Sequence, residues 1–506
     1  MSSHYRRAAS LVMPRADAKF WSDSSYRNRL YDLVDRGVGG IAVFLGDVET
    51  TATMIADLQK RAKGSLLIAA DYEYGLPMRL EGGIAFPRAM ALGHTLPGIT
   101  EHVAACIAQE ARAIGVHWNF APVCDVNSNP SNPIINTRSF GEDPATVAAH
   151  AVAYVRGTQR HAVLACGKHV PGHGDTDVDS HVSLPTITAT ADVAATREFA
   201  PFRAVVDAGV ETLMIGHMLV PFLDPALPAS LSHAVVTDLV RKEWGFDGLV
   251  TTDALDMKAI ASTWTSAEAA VMSVLAGNDV VLLPEDPVEA IRALVSALEN
   301  GTVSEERLAE SERRWQRARE FTGIGEAPSA PIVIDQSSHA VIALQAAQGA
   351  MRISGDVDLL PITRHNQYAA FAVIDEADAD AATTWFHYLA KATEGNSDFG
   401  YLDDSIDDAD LDVLRNGIAD ADVVVFAFFG KAVAYRGHMS DMDRLPAIMR
   451  RLAGDKPIVI VVCGSPYGME NLPHSLILHM YSDTVPSLAA SVLRLTGRET
   501  PPGMQS

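Results

Sequence analysis

Cysteine is scarce in this chain: four in 506 residues, at positions 106, 124, 166 and 463, with no Cys-x-x-Cys pair. Each lies in an apolar context, which excludes a disulfide framework and a zinc-type cysteine site and reads as buried, reduced thiols. Basic residues are also in short supply, 40 Lys and Arg against 63 Asp and Glu, for a formal net charge of −23. A nucleic-acid surface needs clustered cations, so that partner class is excluded, and anionic membranes are disfavoured. No apolar run approaches the roughly 18–20 residues of a membrane span. The stretch after Arg6 and Arg7 ends at Met13, too short for a secretory apolar core. A cytoplasmic location is the expectation. His-Glu-x-x-His and Gly-x-Ser-x-Gly are absent, and Gly167-Lys168 ends no phosphate-binding loop, since Ala162 and His169 occupy the positions that need Gly and Ser or Thr.

Hydrophobic residues make up 48% of the chain, enough for a sizeable core, and its length predicts two or three domains. Eight short apolar runs alternate with helical patterns: Ser10–Met13, Gly40–Leu45, Leu66–Ala70, Val116–Val123, Val163–Gly167, Thr212–Gly216, Leu249–Thr252 and Val280–Leu283. Glu101–Ile114, Pro144–Gln159, Thr196–Asp207 and Ser266–Ala276 are among the helices between them. Strand–helix alternation predicts a parallel sheet covered on both faces, and eight repeats fit a (β/α)8 TIM-type barrel over residues 1–322. A helix from Thr302 to Phe321, with Thr302 and Glu305 spaced as a capping box, ends this unit. Residues 323–333, rich in Gly, Ala and Pro, read as a linker, and 334–506 as a smaller α/β sandwich domain with strands at Ala369–Ile374, Val423–Phe429, Pro457–Val462 and Leu476–Met480. The aspartate-rich stretch Asp403–Asp412 reads as a solvated acidic face.

Chemistry concentrates in Lys168-His169-Val170-Pro171-Gly172-His173-Gly174-Asp175-Thr176, followed by Asp179-Ser180-His181. Unpaired charge is costly in a core, so this density of titratable groups after an apolar strand marks an active site. Asp71, Asp125, Lys168, His169, His217 and Asp253 all follow candidate strands, and a barrel gathers such ends at one mouth. His169, His173 and His181 with nearby aspartates could ligate a metal, but the adjacent Lys168 opposes a cation.

The loop resembles the signature of glycoside hydrolase family 3, in the form of its β-N-acetylglucosaminidase branch. The match covers Lys168, His169, Pro171, Gly172, His173, Gly174, Asp179, Ser180 and His181. Four further segments resemble the family in family order: Asp71-Tyr72-Glu73-Tyr74-Gly75 with Arg79, Phe120–Asn127, Arg138–Pro144 and Thr252–Met257. Pro457–Val462 with Gly464-Ser465-Pro466-Tyr467 resembles the sheet domain that follows the barrel in longer members.

The resemblance implies a retaining exo-glycosidase that takes terminal, non-reducing GlcNAc from cell-wall muropeptides or chitooligosaccharides, with neither cofactor nor metal. It implies Asp253 as nucleophile, His181 backed by Asp179 as proton donor, and Asp71, Arg79, Arg138, Lys168 and His169 as sugar-binding residues. His217, at a strand end, is either a sugar contact or a support behind one. A histidine donor does not repel phosphate, so phosphate in place of water is the alternative acceptor and a phosphorylase the nearest rival. A β-glucosidase or xylosidase, and a non-catalytic sugar-binding protein, are the others. Tyr72, Tyr74 and Leu76 depart from the smaller or polar residues common in the family, where they would narrow the pocket or stack on an aglycone.

Overall fold

The computed structural model describes residues 3–63, 66–176, 184–324, 335–364, 367–374, 379–394, 398–402, 406–429 and 444–499. The chain divides into two compact units. The first comprises Met1–Ile84, Pro97–Ile135 and Ser139–His339, and the second Ala85–Leu96, Asn136–Arg138 and Ala340–Ser506. Most of the expected linker, from 325 on, lies outside the described residues.

In the first unit all eight apolar runs form strands. β1 consists of Val12–Met13 and Arg15–Ala16 on either side of Pro14; β2 is Gly40–Val43, β3 Leu67–Ala70, β4 Trp118–Asn119, β5 Leu164–Val170, β6 Thr212–Ile215, β7 Leu249–Thr252 and β8 Val281–Leu282. They pair in parallel and in chain order from β1 to β7. β1 also pairs with β8, Val12 opposite Val281, and a parallel bridge from Thr251 to Val280 joins β7 to β8. The ring is therefore closed, as in a (β/α)8 barrel. Continuous burial along β2, β3, β5, β6 and β7 explains why these strands read as unbroken apolar runs.

Aspartates start several of the intervening helices by accepting orphan backbone N–H groups: Asp23 before Ser24–Arg36, Asp47 before Val48–Arg61, Asp143 before Pro144–Gln159 and Asp286 before Pro287–Glu299. The last barrel helix differs from expectation. It runs Glu305–Thr322 with Ser304 as its cap, because Gly301 takes a positive φ and Val303 is buried, which leaves Thr302 outside the helix.

Opposite the mouth, Asp279 just before β8 is fully buried and ties the barrel bottom together. It accepts from Arg241, from Arg307 Nη2 (3.0 Å), Arg314 Nη1 (3.2 Å), Ser311 Oγ (2.7 Å) and the N–H of Val250 (3.1 Å). Burial acts to raise its pKa, but the three guanidiniums bring the carboxyl down to about 2. Asp279→Ala leaves these cations without their counter-charge, and we expect a loss of about 3–5 kcal/mol in urea unfolding. Native-like stability of the variant would show that the network holds nothing.

The described residues of the second unit form a six-stranded sheet: β9 Arg352–Gly355, β10 Tyr368–Val373, β11 Asp398–Leu402, β12 Val423–Phe428, β13 Ile458–Val462 and β14 Leu476–His479. Its order is β9-β14-β13-β12-β10-β11, with only the β9–β14 pair antiparallel. The five parallel strands thus have a doubly wound order. Apolar clusters fill both faces, one with Ala379–Ala392 and Val485–Thr496, the other with Asp408–Gly417 and Leu445–Ala453. Part of the acidic stretch is structural: Asp407 caps the helix Asp408–Gly417 in a capping box with Asp410.

Candidate active site

Lys168 lies on β5, a strand buried along its whole length, and only 2% of its side chain is exposed. An ammonium so placed needs partners, and Asp71 Oδ1 at 2.8 Å and Glu73 Oε1 at 2.9 Å are among them. Arg79 Nη2 donates to the other Asp71 oxygen at 2.7 Å. Burial acts to raise the Asp71 pKa, yet Lys168 and Arg79 together hold the carboxyl well below the usual carboxylate range. The Arg79 guanidinium stacks on Phe44, 4.8 Å from the ring centre, and Arg15 stacks on the same ring at 4.4 Å. Glu73 lies in the turn that follows Asp71 and reaches the same ammonium.

The next residue on β5, His169, belongs to a second charged group. Its Nδ1 lies 2.8 Å from Asp125 Oδ2, and Asp125 Oδ1 accepts the N–H of His173 at 2.7 Å. The His169 N–H also points to this carboxylate, at 3.2 and 3.3 Å. Asp125 is fully buried. Burial raises its pKa, but His169 and His173 outweigh that and keep it low. The spacing of strand ends flagged Asp125 without revealing that it organises this turn.

Glycine shapes the turn by close approach. A Cβ on Gly174 would lie 1.6 Å from the carbonyl oxygen of Val126, so no other residue fits. His173 braces the turn: Thr176 Oγ1 donates to the His173 carbonyl at 3.0 Å and therefore accepts from ring Nδ1 at 2.7 Å. Burial and the neighbouring His169 push the His173 pKa down to about 4, which leaves its ring neutral near pH 7. His181 and Asp179 lie outside the described residues. Just before that segment, Asp175 accepts from Thr188 Oγ1 (2.7 Å), Ala189 N (3.0 Å) and Arg197 Nη2 (3.0 Å), which joins the chain on its two sides.

Asp253 follows β7, with its N–H donating to Ile215 O at 2.8 Å and its Oδ1 accepting the N–H of Ala254 at 2.8 Å. Burial works against ionisation here, but His169, His217, that N–H and Lys168 together lower the pKa and keep the carboxylate charged. Asp71, Lys168, His169 and Asp253 thus share one electrostatic neighbourhood, able to grip a hydroxylated ring and to present a nucleophilic carboxylate.

His217 is fully buried, and both its ring nitrogens are engaged, Nδ1 with Ser230 Oγ at 2.7 Å and Nε2 with Ala254 O at 2.8 Å. Arg138 is on the short helix Asn136–Arg138, which packs on Ala89–Gly93 and belongs to the second unit. Tyr72 is fully buried, its backbone N–H donating to Asn119 Oδ1 at 2.9 Å, so it cannot stack on an aglycone; Tyr74 is half-buried.

Residues 7–318 match the family described as glycosyl hydrolase family 3 N terminal domain. The chain is 29% identical over 459 residues to beta-hexosaminidase A of Pseudoalteromonas piscicida, covering 82% of this chain and 75% of that protein. It is 34% identical over 272 residues to the beta-hexosaminidase of Chromobacterium violaceum, covering 52% and 75%. Among solved structures it is similar to a glycoside hydrolase family 3 beta-N-acetylglucosaminidase from Paenibacillus sp. str. FPU-7, with TM-score 0.84, 28% identity and coverage of 100% and 98%. A closed barrel that places Asp71, Lys168, His169 and Asp253 at its strand ends, together with a match over most of that barrel, establishes that the chain belongs to glycosyl hydrolase family 3.

Proposed function

We propose that this protein is a retaining exo-β-N-acetylglucosaminidase that releases terminal, non-reducing GlcNAc through a covalent glycosyl-enzyme. The observation that carries this reading is Asp253, a carboxylate at the end of barrel strand β7 whose ionised form the neighbouring His169 and Lys168 favour. The beta-hexosaminidase and beta-N-acetylglucosaminidase names of its relatives support the choice of sugar. Residues 1–322 are the catalytic domain in this reading, 323–333 the linker and 334–506 the sandwich.

Asp71, Arg79, Lys168 and His169 hold the ring hydroxyls in this reading. An oxygen of Asp253 attacks the anomeric carbon as the bond to the aglycone breaks, and His181, oriented by Asp179, gives its proton to the departing oxygen. Water then loses a proton to the same histidine and displaces Asp253, so two inversions give net retention. Muropeptides or chitooligosaccharides are the proposed substrates and the cytoplasm the proposed location. No described helix is long and apolar enough to cross a membrane.

Nitrophenyl β-GlcNAc and nitrophenyl β-glucoside, each assayed with and without phosphate, test the reading. Preference for the GlcNAc compound with release of free GlcNAc supports it. GlcNAc-1-phosphate would make the protein a phosphorylase, glucoside preference would place it with the glucosidases, and no turnover of either would favour a binding role.

A further inference from the structure

We propose that His217 is a positioning residue that sets the orientation of the Asp253 carboxylate through the backbone of Ala254. The inference rests on the reading of Asp253 as the nucleophile. The chain around Asp253 is held by its neighbours: Asp253 N–H donates to Ile215 O on β6 (2.8 Å), and the N–H groups of Leu255 and Asp256 donate to the carbonyls of Leu282, at the end of β8, and of Leu283 just after it (3.0 Å each). Residue 254, between these grips, is held differently. Its N–H turns to Asp253 Oδ1 at 2.8 Å, and its carbonyl takes a hydrogen bond from His217 Nε2 at 2.8 Å.

A carbonyl only accepts, so Nε2 carries the proton, and in the neutral ring Nδ1 accepts from the Ser230 hydroxyl at 2.7 Å. Ser230 is itself fixed, because Asn278 Nδ2 donates to its carbonyl at 2.9 Å. His217, Ser230 and Asn278 are all fully buried. The chain Asn278–Ser230–His217–Ala254–Asp253 therefore runs from the start of β8 across the end of β6 to the nucleophile at the end of β7. Gly216 makes room for the turn into it, since a Cβ there would lie 3.0 Å from the Cβ of His169.

The chemical consequence is geometric. Attack requires one carboxylate oxygen in line with the breaking bond, and misplacement by about 1 Å can cost 100-fold. The Ala254 N–H occupies Oδ1, which leaves Oδ2 to react, and His217 holds the peptide that carries this N–H. With both ring nitrogens committed within the protein, His217 acts behind the sugar site.

The test compares His217→Ala, His217→Gln, Ser230→Ala and Asp253→Asn on an aryl β-GlcNAc with a good leaving group. His217→Ala is expected to lower kcat/KM by about 100-fold, mainly through kcat. His217→Gln restores most of the rate, since its amide can donate to Ala254 O and accept from Ser230. Should His217→Ala fail to fold, Ser230→Ala carries the test, with a loss of about fivefold in kcat expected from the untethered ring. A folded His217→Ala within about threefold of wild type, a loss confined to KM, or a His217→Gln no better than His217→Ala overturns the proposal. Activity in Asp253→Asn would instead overturn the nucleophile assignment.

Discussion

Asp253→Ala abolishes turnover, with an expected loss of about 10⁴-fold or more in kcat, while the protein unfolds at nearly the wild-type urea concentration. A covalent route has no substitute for its nucleophile, and a loss of that size corresponds to roughly 5.4 kcal/mol of transition-state stabilisation. The fold is spared because Asp253 is half-buried and its side chain bonds to its own neighbour Ala254, so the barrel keeps its ladder without it. A small anion such as azide enters the vacated space and attacks the same face of the sugar, which restores part of the rate with an activated aryl glycoside and yields the α-azide. Substantial activity without azide would refute the role of Asp253.

Asp125→Ala costs both stability and activity. The carboxylate receives the His169 and His173 N–H groups and the His169 ring, so its removal strands buried donors on a turn that nothing else holds in the same way. Each orphaned donor costs about 1–3 kcal/mol, and we expect at least about 3 kcal/mol in urea unfolding. Because the Asp125 carboxyl is held below its ordinary value, its contribution is complete above about pH 4 and fades as pH falls through the native-state value. His169 loses its orientation at the same time, so kcat/KM falls by roughly 100-fold under conditions where the variant is still folded. Wild-type stability at pH 7 would show that the turn holds without the Asp125 carboxylate.

The barrel was legible because its strands are buried on both faces and therefore read as apolar runs. The strands that escaped, Arg352–Gly355 and Asp398–Leu402, are the two edges of the second sheet, mostly exposed and without an apolar run. In the site, Asp71, Lys168, His169 and Asp253 stood out as charged residues directly after such runs. Their supports did not: Glu73 beneath Lys168, Phe44 between two guanidiniums, and Ser230 behind His217 join segments distant in sequence. Such contacts depend on strand register and side-chain reach, which hydrophobic periodicity does not encode. His217 shows the difference most clearly, since its strand-end position suits a sugar contact as well as a support, and only the atoms at its two ring nitrogens separate these roles.

The most direct test of the central claim is mass spectrometry of the protein after reaction with a 5-fluoro-N-acetylglucosaminyl fluoride, a substrate that forms the glycosyl-enzyme faster than it breaks down. The account predicts one sugar adduct per chain, on the peptide that contains Asp253. Turnover with no adduct, or an adduct on another residue, would contradict it, the first pointing to a route assisted by the substrate's own acetamido group.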